Sequence, residues 1–408
     1  MGSLAVTLWS AALLVCVWTS PARAQGLAAD SAASAAASAP TAATAPPPVV
    51  ARPMPASIQV PRLSGRLTAA DIGLVINTAD PYSVAVGEHY IQRRRLSPAQ
   101  VLRLQLPVVP SLSPEDFERL RAGIAARFGR STQALALAWT QPYAVGCNSI
   151  TGALALGYDA GLCQQTCAAS RPSRYFNAPG FRPLAEVGWR PSMLLAAPDI
   201  EQARALIDRG VASDASLARK GRPPVTAMLL TTDDPARRVR MVLYPPPGAL
   251  MGAGVIVRVE PAAELANAKR VFLALTGSVT VKLNPPPDWV PGGLGDHLTS
   301  VGGALYAASG QSTVLEWIAS GATASHGSVS EPCNHLQKFP HPQVLLLHYL
   351  QGATAIEAYW KSVLWPQQSL FVGEPLAAPF APPSVVRMPA PEPEPSPAPS
   401  PSPSQPGP

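Results

Sequence analysis

The chain has 408 residues, 48 prolines and a formal net charge of +6, with 14% charged residues. That length allows two or three domains. The basic excess does not mark a nucleic-acid surface, because its tight clusters, Arg93–Arg95 and Arg237-Arg238-x-Arg240, have no interleaved aromatics and no helical repeat. Such arginines read as solvated surface or ion-pair partners.

Residues 1–24 carry an apolar run from Leu4 to Trp18, then Ser20-Pro21 and the small pair Ala22-x-Ala24. This is the layout of a secretory signal peptide cleaved after Ala24, although its first residues lack Lys or Arg. An uncleaved anchor is the competing reading, but the run falls short of the ~20 residues that span a bilayer. No later segment resembles a transmembrane helix. Residues 25–65 are Ala, Ser, Thr and Pro with few large apolar side chains, which suits a disordered linker. From about residue 387 the chain is dominated by proline, which favours extended polyproline backbone in a disordered tail. The folded part is then expected over 66–386, as one α/β domain or two joined lobes.

Within it, Ile72–Asn77 is a short apolar run and reads as a buried strand, with helical spacing over Val84–Arg94. Val101–Leu106 is the next strand. Ser113-Pro114-Glu115-Asp116 is a helix start, with serine as N-cap, proline at the first position and acids in the first turn. That helix runs to about Phe128 and is followed by a strand over Ala134–Trp139. Tyr143–Arg190 is irregular. Ser192–Ala197 is a strand, Asp199 caps a helix to Arg209, and Val225–Thr231 is another strand. Val239–Leu243 and Val255–Val259 are β-rich, Ala262–Lys269 is helical, and Val271–Leu275 is β. Trp289–Gly293 reads as a turn. Ser312–Ser320, Pro342–Leu350 and Ala353–Val363 are helical, while Gly321–His326 and Leu370–Gly373 are strands. The alternation predicts a three-layer α/β/α sandwich around a mainly parallel sheet.

Four cysteines follow the leader: Cys147, Cys163, Cys167 and Cys333. An even number in an exported chain points to two disulfides. One arrangement closes a small Cys163–Cys167 loop and leaves Cys147 for Cys333; three pairings exist in all. Zinc is disfavoured, since a second closely spaced Cys pair is missing.

Chemistry concentrates in Gly292–Phe380, which holds five of the six histidines. Asp296-His297 at a glycine-rich turn offers an adjacent carboxylate and imidazole, with Glu331 able to complete an acid/base or metal site. The competing role is a turn in which Asp296 caps a helix beginning at His297. Cys333 is a candidate nucleophile with His297 or His326 as base, weighed against Cys333 as half of a disulfide, the favoured role in an oxidising compartment. His335, His341 and His348 lack a zinc spacing, and Glu357 reads as a structural acid. Asn77, Asp80 and Ser83 suit a polar site or a helix cap equally. The sequence contains no phosphate loop, Gly-x-Ser-x-Gly elbow or dinucleotide fingerprint, so no cofactor is expected.

The stretches DHLTSVGG (Asp296–Gly303), ATASHGSVSEPC (Ala322–Cys333), EAYWKSV (Glu357–Val363) and FVGEPLAAPF (Phe371–Phe380) carry a resemblance. With CNSITGALALG (Cys147–Gly157) and RPSMLLA (Arg190–Ala196), they resemble an uncharacterised exported bacterial family that accompanies exosortase protein-sorting systems. The resemblance implies a Gram-negative envelope context, periplasmic or extracellular, with an envelope protein or polysaccharide as partner. PEPEP (Pro391–Pro395) lacks the apolar helix and basic end of a sorted substrate. The order of elements also resembles gingipain-type caspase-like cysteine peptidases, which implies a peptidase-like scaffold. Thr276-Gly277-Ser278 stands where that family presents its catalytic histidine. The expectation is a non-catalytic binding or assembly protein, with a cysteine hydrolase or an Asp296/His297 metal hydrolase as alternatives.

Overall fold

The computed structural model describes residues 65–218 and 221–382. The expected leader, nearly all of the linker and the proline-rich tail lie outside these residues.

Burial and capping account for the opening elements. Strand β1 (Ile72–Asn77) is buried at all six positions. The chain then turns at Asp80, whose carboxylate accepts from the Tyr82 amide at 2.9 Å and starts α1 (Pro81–Arg94), with proline in its first turn. Asn77 and Ser83 also work locally, the Asn77 amide donating to Ser83 Oγ at 2.8 Å. After β2 (Val101–Leu104) and a two-residue strand β3 (Ser111–Leu112) comes α2 (Pro114–Arg127). Ser113 Oγ caps it by accepting from the Asp116 amide at 3.1 Å, and Phe117, Leu120 and Ile124 form its buried stripe. Next is β4 (Ala134–Leu137).

The stretch read as irregular contains a small hairpin, β5 (Ala144–Val145) with β6 (Asn148–Ser149), which joins β3 in a three-stranded sheet. It also holds two short helices, α3 (Ile150–Leu156) and α4 (Pro183–Val187). The remaining elements are β7 (Ser192–Leu194), α5 (Ile200–Ser213), β8 (Val225–Thr231), β9 (Gly248–Leu250), β10 (Val255–Pro261), β11 (Val271–Gly277), β12 (Trp289–Leu298), α6 (Val314–Ala319), β13 (Ala324–Ser328), α7 (Pro342–Leu350), α8 (Ala355–Ser362) and β14 (Ser369–Gly373).

Eleven strands form one sheet in the order β2-β1-β4-β7-β14-β13-β12-β11-β8-β10-β9, with helices packed against it as a three-layer α/β sandwich. Neighbours are parallel except at two places, the β9–β10 edge and the central β13–β14 pair. The antiparallel β13–β14 seam divides the sheet into two parallel halves that run in opposite directions. Ligand sites of parallel sheets sit at the carboxyl ends of strands, so the halves present those ends at opposite edges. The seam also carries the start of β14 to the end of β13, where Ser369 lies opposite Ser328.

Two local expectations fail, for identifiable reasons. Val239–Leu243 belongs to a 3-10 segment, Arg238–Leu243, because Arg240 turns inward and is 1% exposed. Trp289–Gly293 begins the longest strand instead of turning. Gly295 permits this, since a Cβ there would meet the Trp317 ring at 2.4 Å.

Candidate functional site

Side chains alternate across a strand, and this decides the fate of the Asp296-His297 pair. Both residues lie near the end of β12, so they project to opposite faces and do not orient one another. The alternative, Asp296 capping a helix at His297, is also incorrect because both positions are strand.

On one face His297 is 1% exposed and both its ring nitrogens are engaged. Trp317 Nε1–H donates to Nδ1 at 2.9 Å, so the proton sits on Nε2, which donates to the Ser312 carbonyl at 3.0 Å. A protonated ring would set two donors against each other, and burial already disfavours the charge. His297 is accordingly held below the ordinary histidine range. It is a fixed neutral core histidine without a lone pair for a metal or a substrate proton.

On the other face Asp296 builds a different cluster. One carboxylate oxygen takes Arg240 Nη1. The other takes His326 Nδ1 at 3.1 Å from the neighbouring strand β13. Burial pushes Asp296 up, but Arg240 and the His326 hydrogen bond outweigh it and hold the acid below the usual carboxylate range. An ionised Asp296 fixes the His326 proton on Nδ1 and leaves Nε2 to accept. Ser369 Oγ lies 2.9 Å from that nitrogen. Asp296, His326 and Ser369 are all fully buried.

The histidine–serine unit is roofed by the 3-10 segment Leu336–Lys338 and by Phe339. The Lys338 carbonyl is 3.3 Å from Ser369 Oγ, and the Phe339 ring meets the His326 ring edge-on with centroids 6.1 Å apart. Glycine brings the adjacent loop close. A Cβ at Gly327, beside His326, would meet the Gly302 carbonyl carbon at 2.4 Å, so Gly302-Gly303 presses directly on β13.

Phe339 also lines a surface cavity of about 250 Å³ at this edge of the sheet. Arg237, Thr299, Ser300, Glu331 and Asn334 supply its polar groups. Arg237 is steadied by Asp234, at 2.7 Å, and by Thr299 Oγ1, at 3.3 Å. Glu331 accepts from the Cys333 amide at 2.7 Å. It thus shapes the cavity rim and has no hydrogen bond to Asp296, His297 or His326 among the described residues.

The cysteines correct two further expectations. The disulfides are Cys147–Cys163 and Cys167–Cys333, so neither the small Cys163–Cys167 loop nor a Cys147–Cys333 bridge forms. Asn148 explains the first partner: it exchanges hydrogen bonds with the Asp159 backbone at 2.9 and 3.1 Å, drawing Cys147 onto Cys163. Cys167 is then left to tie the excursion to Cys333. Cys333, being oxidised, cannot serve as a nucleophile. A metal hydrolase on Asp296/His297 fails too, because the carboxylate is spent on Arg240 and His326 while His297 faces away. Among the described residues no group of three or more His, Cys, Asp or Glu is placed to hold a metal ion, and no helix is long and apolar enough to cross a membrane.

Glu357 is structural. Its Oε2 accepts from the Thr354 amide and hydroxyl and from the Leu67 amide, at 2.9, 2.7 and 3.2 Å. Burial raises its pKa despite Lys361 and these donors. Glu357→Ala leaves buried donors unsatisfied and should cost about 3 kcal/mol or more. Glu357→Gln keeps an acceptor without the buried charge, so urea midpoints should place it within about 1 kcal/mol of wild type at neutral pH.

Sequence reasoning missed Arg240 and Ser369. Arg240 lies in a cluster that reads as surface, and Ser369 precedes an apolar strand with nothing in its spacing to mark it. The β13–β14 pairing brings Ser369 to His326, and the 3-10 segment carries Arg240 to Asp296. Searches against protein-family models and against curated proteins found no match to this chain.

Proposed function

We propose that the protein is an exported envelope component of an exosortase- and exopolysaccharide-linked system, acting by binding or assembly on a peptidase-like scaffold. The family resemblance of DHLTSVGG and ATASHGSVSEPC supports the context. Two disulfides suit an oxidising compartment. The observation that carries the binding role is the open cavity at the ends of β12 and β13, in which a few polar groups are set in a wall that includes Ala236, Leu298, Pro332 and Phe339. It offers Arg237, Ser300, Glu331 and Asn334 to a partner, while the acid–base residues lie beneath a roof with their polar atoms paired. A hydroxyl, an amide, a carboxylate and a guanidinium set among apolar wall residues suit a sugar polymer, which presents hydroxyls together with C–H faces.

The test uses wild-type protein on a biosensor, exposed to exopolysaccharide purified from an exosortase-bearing Gram-negative host. Binding that weakens about tenfold in Arg237→Ala, or ~1.4 kcal/mol, supports the reading. Absence of binding, or equal binding by folded Arg237→Ala, rejects this cavity as the polysaccharide site.

A further inference from the structure

The order carboxylate, imidazole, hydroxyl in the buried cluster has a chemical meaning that a binding role does not use. A nucleophilic hydroxyl needs a base within hydrogen-bond reach, and the base needs a third group to fix its tautomer. Ser369 Oγ is 2.9 Å from His326 Nε2, and His326 Nδ1 is 3.1 Å from Asp296. The carboxylate is ionised, so Nε2 is the free base. Three different segments, β12, β13 and the start of β14, supply the three residues, and the antiparallel seam aligns them.

What separates this arrangement from substrate is thin. Phe339 touches His326 on one side and lines the open 250 Å³ cavity on the other. The segment bearing it starts at Cys333, whose disulfide partner Cys167 is exposed. Withdrawal of the phenyl ring would open the His326 ring to the cavity.

We propose that Ser369, His326 and Asp296 form a masked acyl-hydrolase centre, acting on small carboxylic esters when Phe339 withdraws from His326. The acyl group would occupy the volume vacated by the phenyl ring, with the alcohol portion among the polar groups of the cavity. Ser369 Oγ gives its proton to His326 Nε2 and bonds to the carbonyl carbon. The ester C–O bond then breaks and the leaving alkoxide takes that proton. Water attacks the acyl-serine, its proton passing through Nε2 back to Ser369, and the products are an alcohol and a carboxylic acid. Arg240 pairs with the same Asp296 and reduces the stabilisation available to an imidazolium. Turnover should therefore be slow, and covalent labelling is the better readout. The activity goes beyond the binding role, and Arg237→Ala, which tests that role, leaves all three residues in place.

The experiment treats full-length protein with a small alkyl fluorophosphonate and locates the adduct by peptide mass spectrometry. Phe339→Ala should label at Ser369 at least tenfold faster than wild type. Labelling should vanish in Phe339→Ala/Ser369→Ala and fall at least tenfold in Phe339→Ala/His326→Ala. If Phe339→Ala does not fold, Phe339→Leu and wild type reduced by a small dithiol are used, with alkylation of Cys333 reporting release of the segment. The dithiol gives two electrons to the disulfide and is itself oxidised to a disulfide. Folded protein with an opened roof and no Ser369 adduct, or an adduct indifferent to His326, overturns the proposal.

Discussion

Asp296→Ala should destabilise the protein by about 3–5 kcal/mol, the cost of removing one partner from a buried ion pair. Arg240 is 1% exposed, and its Nε already lacks a partner among the described residues. Without Asp296 the guanidinium keeps the Thr276 carbonyl, which Nη2 reaches at 2.5 Å, and the Tyr244 hydroxyl, but no carboxylate to balance its charge, and His326 loses its tautomer anchor. A typical domain has about 5–15 kcal/mol of stability, so the variant forfeits a large share of the total. Asp296→Asn keeps the volume and one acceptor for Arg240, and should lose less.

The same residue sets part of the acid response. Its folded pKa is depressed, so its contribution is present above the unfolded value, near 4, and is lost as pH falls below it. The buried and half-buried histidines act earlier. His297, His341 and His348 are also depressed, His348 to about 4, so their neutral forms favour the fold above about 6.5. That advantage is lost as pH falls from there, for His348 down to about 4. Urea midpoints should thus fall in two stages as the pH drops below neutrality. Asp296→Ala should retain the first stage and weaken the second. A variant with wild-type stability, or with an unchanged lower stage, would show that Asp296 is no structural anchor.

The amount legible in the sequence follows from the range of each cause. Local signals were sufficient for β1, α2 and α5, whose apolar runs and capping residues Ser113 and Asp199 act within a few positions. They were sufficient for the α/β class as well, because short buried runs alternating with helices admit few other packings. They failed where a distant partner decides. Arg240 looks like a surface arginine until Asp296 is brought to it. Asp296 and His297 look like a pair until the strand sends them apart. His326 and Asp296 were both singled out, yet their contact and the addition of Ser369 depend on the β12–β13 and β13–β14 registers. The antiparallel seam has no sequence marker, since β13 and β14 are each short and buried. Cysteine pairing was open for the same reason: number restricts it, but only the Asn148–Asp159 contact selects Cys163 for Cys147.

The two disulfides should differ in what they contribute, and Cys167→Ser/Cys333→Ser should be the more damaging change. The Cys167–Cys333 bridge spans a sequence separation of 166, against 16 for Cys147–Cys163. In the chain-entropy model a cross-link restricts the unfolded chain more as its loop lengthens, which gives roughly 5 kcal/mol for the long loop and roughly 3 for the short one. Native contacts act in the same direction. Residues flanking the long bridge hold the roof over the buried cluster, with Lys338 Nζ donating to the Thr166 carbonyl at 2.6 Å and the Trp365 amide donating to the Gln337 carbonyl at 2.8 Å. The short bridge is supported independently by the Asn148–Asp159 hydrogen bonds, which survive its removal. Cys167 is exposed and Cys333, Cys147 and Cys163 only partly so, so limited dithiol treatment should open the long bridge first. Denaturant unfolding of the two double variants, with alkylation and mass spectrometry after graded reduction, measures both quantities. If the Cys147→Ser/Cys163→Ser protein is the less stable, the unfolded-chain argument does not govern this molecule, and residual denatured structure around the long loop becomes the explanation to pursue.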